Sequence, residues 1–160
     1  MKLKKPTLYL ETTIPSYLTA LPTRDVVALA HQEITREWWK KRRQNYDIYI
    51  SSVVLEEIKM GASNAVEKRL QIVSNFKILK ASPEVEAIAK IYLSELNFPQ
   101  KAIRDAAHLA FACIYKLDYL LTWNCAHIAN AEVRSQLFKI NSKRNIWTPT
   151  ICTPEELMGI

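Results

Sequence analysis

Short apolar runs alternate with stretches of helical periodicity along nearly the whole chain, and this alternation limits the folds open to it more than any other feature. Leu8-Tyr9-Leu10, Ile48-Tyr49-Ile50, Phe76 to Leu79, Tyr119-Leu120-Leu121 and Thr150-Ile151-Cys152 are each too short for a buried helix and read as strands. Between them lie segments with apolar residues three and four apart, such as Val27, Ala30, Ile34 and Trp38 within Asp25 to about Arg43. Helices are likewise expected over Val53 to Met60, Asn64 to Val73, Ser82 to about Asn97, Lys101 to Tyr115 and Ala131 to Ile140. Ser52 reads as the cap of the second helix and Gly61 as its stop, while Glu11-Thr12-Thr13 with Pro15 reads as a polar turn ending the first strand. Thr153-Pro154-Glu155-Glu156 reads as the cap of a terminal turn. Parallel strands need crossover helices, so the expected fold is α/β: three layers, α/β/α, around a mostly parallel central sheet. At 160 residues with 49% apolar side chains, one domain covering 1–160 with a single core is expected.

Several classes of function are disfavoured at once. With only Gly61 and Gly159, neither a GxGxxG nor a GxxxxGK[ST] phosphate loop exists. Cys113, Cys125 and Cys152 are an odd number without CxxC spacing, so no disulfide framework or zinc ribbon is suggested and a reducing compartment fits. The start MKLKKPTLYLETT has too few apolar residues before Glu11 for a signal peptide or membrane span, which implies a cytoplasmic protein. A formal charge of +6 favours polyanion partners such as RNA, although charge alone does not identify one.

In open parallel sheets, sites form beyond the carboxyl ends of strands, which directs attention to the polar residues just after each apolar run. Glu11 follows the first run, Glu57 lies in the helix after the second, Asp105 opens the Ala-rich helix, and Asn124 follows Leu121-Thr122-Trp123. Converging oxygen ligands suit hard cations such as Mg²⁺ or Mn²⁺, which bridge phosphate oxygens and lower the pKa of an attacking water. A lone helical carboxylate such as Glu56, Glu67 or Glu86 is ordinarily a solvated charge. Glu11 differs, because a carboxylate abutting an apolar strand is costly unless it is paired. Asp105 could instead serve as a helix N-cap.

These residues resemble the motifs of the PIN domain, and within it the VapC-like toxins of bacterial and archaeal toxin-antitoxin pairs. Leu10-Glu11-Thr12-Thr13 stands where the family has a pattern similar to LDTS, and Glu57-Ile58-Lys59-Met60-Gly61 matches its Glu-to-Gly motif, selecting Glu57 over Glu56. Asp105-Ala106-Ala107-His108-Leu109-Ala110 and Leu121-Thr122-Trp123-Asn124 resemble the third and fourth motifs. The resemblance implies a metal-dependent endoribonuclease, the toxin of a toxin-antitoxin pair, held by a small antitoxin and forming a dimer. Glu11, Glu57 and Asp105 would be catalytic and, with Asn124, would hold Mg²⁺ or Mn²⁺. Glu11 replaces the family's usual Asp and Asn124 brings no charge, so one firmly bound cation and a second recruited with the substrate phosphate are expected.

Thr12, Arg104, His108, Thr122 and His127 are the candidates for contact with substrate. The two threonines could equally hydrogen-bond the acidic ligands, and both histidines could be ordinary packing groups. Lys101 and the basic run from Lys40 to Arg43 are further candidates for phosphate contact. Trp38 and Trp39 are adjacent on a helix and cannot face one core together, so one of them is expected to mark a partner surface. Two rivals have other chemistry: a PIN-fold RNA-binding or regulatory module with weak or no turnover, and a metal-dependent phosphatase acting on small molecules.

Overall fold

The computed structural model describes residues 4–159, so the first three residues of the basic N-terminal stretch lie outside the described part. Among the described residues five strands form one sheet: β1 (Thr7–Leu10), β2 (Asp47–Ser51), β3 (Lys77–Leu79), β4 (Tyr119–Leu121) and β5 (Thr150–Cys152). Every pairing is parallel, in the order β3-β2-β1-β4-β5. The strands lie where the apolar runs placed them, because a run buried on both faces has no room for polar alternation.

The helices are α1 (Thr13–Thr19), α2 (Val26–Lys41), α3 (Ser52–Ile58), α4 (Ser63–Val73), α5 (Pro83–Glu95), α6 (Ile103–Ile114) and α7 (Ala131–Arg144). From β1 the chain steps outward to β2 and β3, then returns across β1 to β4 and continues to β5. With right-handed crossovers, this reversal puts α1 to α4 on one face and α5 to α7 on the other. It also creates a switch point between β1 and β4, where loops leave the sheet in opposite directions and a crevice opens.

Three local expectations are corrected. The segment after Glu11 is a seven-residue helix, α1, and not a turn; Pro15 is its third residue, where a missing N–H costs nothing because that group would have no helical partner. The cap of α3 is Ser51, whose Oγ accepts from Val54 N–H at 3.3 Å, while Ser52 is already the first helical residue. Gly61 lies beyond the end of α3 with φ +102°, a conformation that L side chains rarely adopt. Asp105 does not cap α6, since Ala102 stands at the cap and Asp105 falls in the first turn.

Trp38 is fully buried, and its indole N–H donates to Leu157 O at 3.2 Å. Trp39 is half-buried with partners from its own chain, edge-on to Phe76 and beneath the Arg43 guanidinium at 5.0 Å. A second chain is therefore not required to explain either ring, since both pack against residues of their own chain. The three cysteines are free thiols, and burial pushes Cys113 up to about 11 and Cys152 up to about 12. No helix among the described residues is long and apolar enough to cross a membrane.

Candidate active site

Glu11 is the first residue beyond β1, and its backbone N–H donates to Leu121 O at 3.1 Å, extending the β1–β4 ladder by one bond. Its side chain is 4% exposed. The carboxylate is stabilised by hydrogen bonds: Oε2 accepts from Thr13 N–H (3.1 Å), Thr13 Oγ1 (2.5 Å) and Thr122 Oγ1 (2.6 Å). Three donors on one oxygen offset the desolvation cost of a buried carboxylate and leave Oε1 to face His108 Nε2 at 3.9 Å.

Glu57 is brought in by α3. Val54 and Ile58 anchor that short helix in the core, three before and one after Glu57, which puts Glu57 on the edge of the buried face and Glu56 in solvent. Glu57 Oε1 accepts from Thr12 Oγ1 at 2.6 Å and from His108 Nε2 at 2.7 Å. Burial pushes the Glu57 carboxyl up, but the His108 and Thr12 hydrogen bonds and the Arg104 charge outweigh it, holding the group below the ordinary carboxylate value.

His108, fully buried on α6, continues inward. Its Nδ1 is 2.7 Å from the Tyr9 hydroxyl, which is 2.7 Å from Ser51 Oγ. Burial pushes the imidazole down, and the Glu57 hydrogen bond with the negative charges of Glu11, Glu57 and Asp105 raises it above the ordinary histidine value. Because Nε2 faces a carboxylate, it carries the proton and donates. The chain Ser51–Tyr9–His108–Glu57 is satisfied with Nδ1 either accepting from Tyr9 or donating to it. Sequence reasoning passed over Tyr9 and Ser51. The available signal was a tyrosine between two leucines of a buried strand, whose hydroxyl has to find a polar partner inside.

The segment after β4 is held by packing. Trp123 stacks on His31 with ring centroids 3.9 Å apart, and its indole N–H donates to Thr35 Oγ1 at 2.7 Å. Thr122 Oγ1 accepts from Asn124 N–H at 2.9 Å, and Asn124 Oδ1 accepts from His127 N–H at 3.0 Å, so the Asn124 amide oxygen stabilises its own turn. Asp105 Oδ2 is 2.7 Å from His127 Nδ1.

Glu11, Glu57, Asp105 and Asn124 line one cleft of about 390 Å³ together with Thr12, Thr13, Ser16 and Tyr17. It lies at the β1/β4 switch point. Within it, donor atoms of Glu11, Glu57 and His108 come within 4.8 Å of one another, while Asp105 lines the cleft outside this trio. Two carboxylates so close together, each with one oxygen outside the hydrogen bonds described, are a donor set that fits a hard divalent cation.

Two of the expected substrate contacts, Thr122 and His108, are turned inward. Both are fully buried, and their polar atoms are spent on Glu11, Asn124, Glu57 and Tyr9. Thr12 lines the cleft but turns its hydroxyl to Glu57. Arg104 is exposed, and His127 is partly exposed at the Asp105 side.

An open α/β sheet carrying a cleft of carboxylates at its switch point defines a class of fold and site, and the comparisons place the chain within it. The PIN domain family pattern matches residues 25–124, well over half of the chain and including Glu57, Asp105 and Asn124, though not Glu11. The chain belongs to the PIN domain family. No curated protein matches its sequence. Among solved structures it is similar to VapBC2 from Rickettsia felis, bound to a DNA fragment from its promoter, with TM-score 0.56 and 20% identity over 92% of this chain and 98% of that one. It is also similar to VapC20 of Mycobacterium tuberculosis, a toxin that cleaves the sarcin-ricin loop, with TM-score 0.55 and 15% identity over 71% of this chain and 87% of that one.

Proposed function

We propose that this protein is a metal-dependent endoribonuclease, working as a single PIN domain and serving as the toxin of a toxin-antitoxin pair. The observation that carries the reading is the convergence of Glu11, Glu57, Asp105 and Asn124, 113 positions apart at the extremes (124 − 11), on one cleft at the switch point. The likeness to a toxin described as cleaving the sarcin-ricin loop supports RNA as the substrate, and the likeness to VapBC2 supports an antitoxin partner.

Glu11 and Glu57 would hold Mg²⁺ or Mn²⁺, with Asp105 across the cleft and Asn124 as an auxiliary oxygen. When bound, the cation supplies charge compensation at the phosphate and a lower pKa for the attacking water. The protein's own contributions are positional. Thr13 and Thr122 saturate Oε2 of Glu11 and thereby aim its other oxygen into the cleft. Thr12 and His108 fix the rotamer of Glu57, and His127 does the same for Asp105. Arg104, exposed near Glu57, is placed to meet a backbone phosphate. The protein acts in the cytoplasm, and a homodimer is expected.

The test is cleavage of structured and unstructured RNA with Mg²⁺, Mn²⁺ or chelator, using wild type and Asp105→Asn. The substitution keeps the size of the side chain and removes the charge that compensates a cation, so cleavage should vanish with it and with chelator. RNA affinity in chelator should not fall, since removing a negative charge cannot weaken attraction to phosphate. Cleavage that survives both changes overturns the assignment.

A further inference from the structure

The cleft has an electrostatic deficit. It is lined by three carboxylates and, among its described lining residues, by no Lys or Arg, so on its own it repels a polyanion. The chain nevertheless carries a net +6. A cluster of lysines lies at the opposite, N-terminal ends of the same strands, where a groove of about 640 Å³ is lined by Lys4, Lys5, Thr7, Lys116, Asp118 and Trp147 among others. That volume falls within the range of sites that take a ligand the size of a nucleotide, roughly 300–1,000 Å³.

Three features make this groove more than a solvated face. Lys4, Lys5 and Lys116 make no ion pair among the described residues, and Lys5 Nζ is held in place by donating to Gln44 O at 2.6 Å. The one acidic group among the groove's described lining residues, Asp118, is tied to β1 through a single oxygen, since its Oδ2 accepts from Thr7 N–H at 2.7 Å and Thr7 Oγ1 at 2.9 Å, and it offsets only one of the three lysine charges. Finally, Trp147 is oriented. Its indole N–H donates to Leu117 O at 2.7 Å, which fixes the ring while leaving the residue 46% exposed beside the lysines. Beyond Lys5 the surface continues into a second depression that contains Arg43 and the ion pair of Lys77 with Asp47.

We propose that this groove is a second RNA-binding site, in which the lysines hold backbone phosphates of a single-stranded segment and Trp147 stacks on a base. Cations around an exposed aromatic ring are the combination that binds single-stranded nucleic acid. β1 runs from Thr7 in the groove to Glu11 in the cleft, a rise of about 13 Å at about 3.3 Å per residue. The route over the surface is longer, so the site serves RNA long enough to pass around the domain and raises its local concentration at a cleft whose own lining is acidic. The proposal rests on RNA as the substrate.

The experiment measures binding of a 5′-fluorescein 20-nucleotide oligouridylate by fluorescence anisotropy in chelator, across a salt series. Lys4→Glu/Lys116→Glu should raise Kd about tenfold and flatten the slope of log K against log salt by about 1.4, at about 0.7 per phosphate contact. Trp147→Ala should weaken binding by at least about fivefold, with thermal melting to confirm that it folds. Lys90→Glu/Lys139→Glu makes the same charge change at exposed positions elsewhere and should have less than a third of the effect. Equal losses in that control, an unchanged slope, or duplex DNA bound as tightly as the oligouridylate would each overturn the groove as a single-strand site. Cleavage is assayed separately. Groove-dependent binding by a wild type that never cuts RNA sinks the nuclease reading and spares the groove, and cutting with unaltered binding by the groove variants does the reverse.

Discussion

Replacing Tyr9 with Phe tests whether the buried chain behind Glu57 does what its geometry implies. Phe keeps the ring and its packing in β1, so no cavity opens and the change is confined to one hydroxyl. That hydroxyl is 2.7 Å from His108 Nδ1 and 2.7 Å from Ser51 Oγ, and all three residues are fully buried. Ser51 keeps its bond from Val54 N–H, whereas His108 Nδ1 is left with no partner in a place that water does not reach. Leaving one buried polar atom unsatisfied and weakening a second costs roughly 2–3 kcal/mol. For a domain of this size that corresponds to a drop in Tm of about 4–12 °C. The larger consequence is local. With Nδ1 unheld, the ring that fixes Glu57 Oε1 can tilt, and loss of such a supporting hydrogen bond typically lowers metal affinity about 10–100-fold. Mn²⁺ titration calorimetry at constant pH, with thermal melting of the metal-free protein, measures both effects. Tyr9→Phe that melts within 2 °C of wild type and binds Mn²⁺ equally well would refute the reasoning.

Glu57→Gln should lower cleavage about a hundredfold or more, the equivalent of several kcal/mol of lost charge stabilisation, while Glu56→Gln, on the solvent side of α3, should stay within a factor of two of wild type; single-turnover rates on one RNA decide. The two tryptophans should separate in the same way: Trp38→Ala loses roughly 3–5 kcal/mol from the core, and Trp39→Ala only roughly 1–2 kcal/mol with its Phe76 and Arg43 contacts, as read from denaturant midpoints. Similar losses at both would mean that the helix is rotated from the orientation described.

The strand positions and a mostly parallel sheet were legible in the sequence, because short apolar runs interrupted by helical periodicity admit few other arrangements; that every pairing is parallel came from the structure. The site was legible in part, since Glu11, Glu57, Asp105 and Asn124 each follow a run or open a helix and the topology gathers whatever lies there. Local patterns could not reveal α1, whose proline and threonines read as a turn until Ile14 and Pro15 are seen to be buried. Nor could they show what the threonines and histidines do. Whether Thr122 meets substrate or Glu11, and whether His108 is a ligand, a packing group or a support, depends on which atoms lie within 3 Å across more than 40 residues of sequence. The basic groove has the same origin: Lys4, Lys116 and Trp147 share no sequence neighbourhood and meet only because β1, β4 and β5 begin side by side. Periodicity is a property of neighbours along the chain, and hydrogen-bonded networks and grooves are properties of neighbours in space, which only the register of the folded sheet decides.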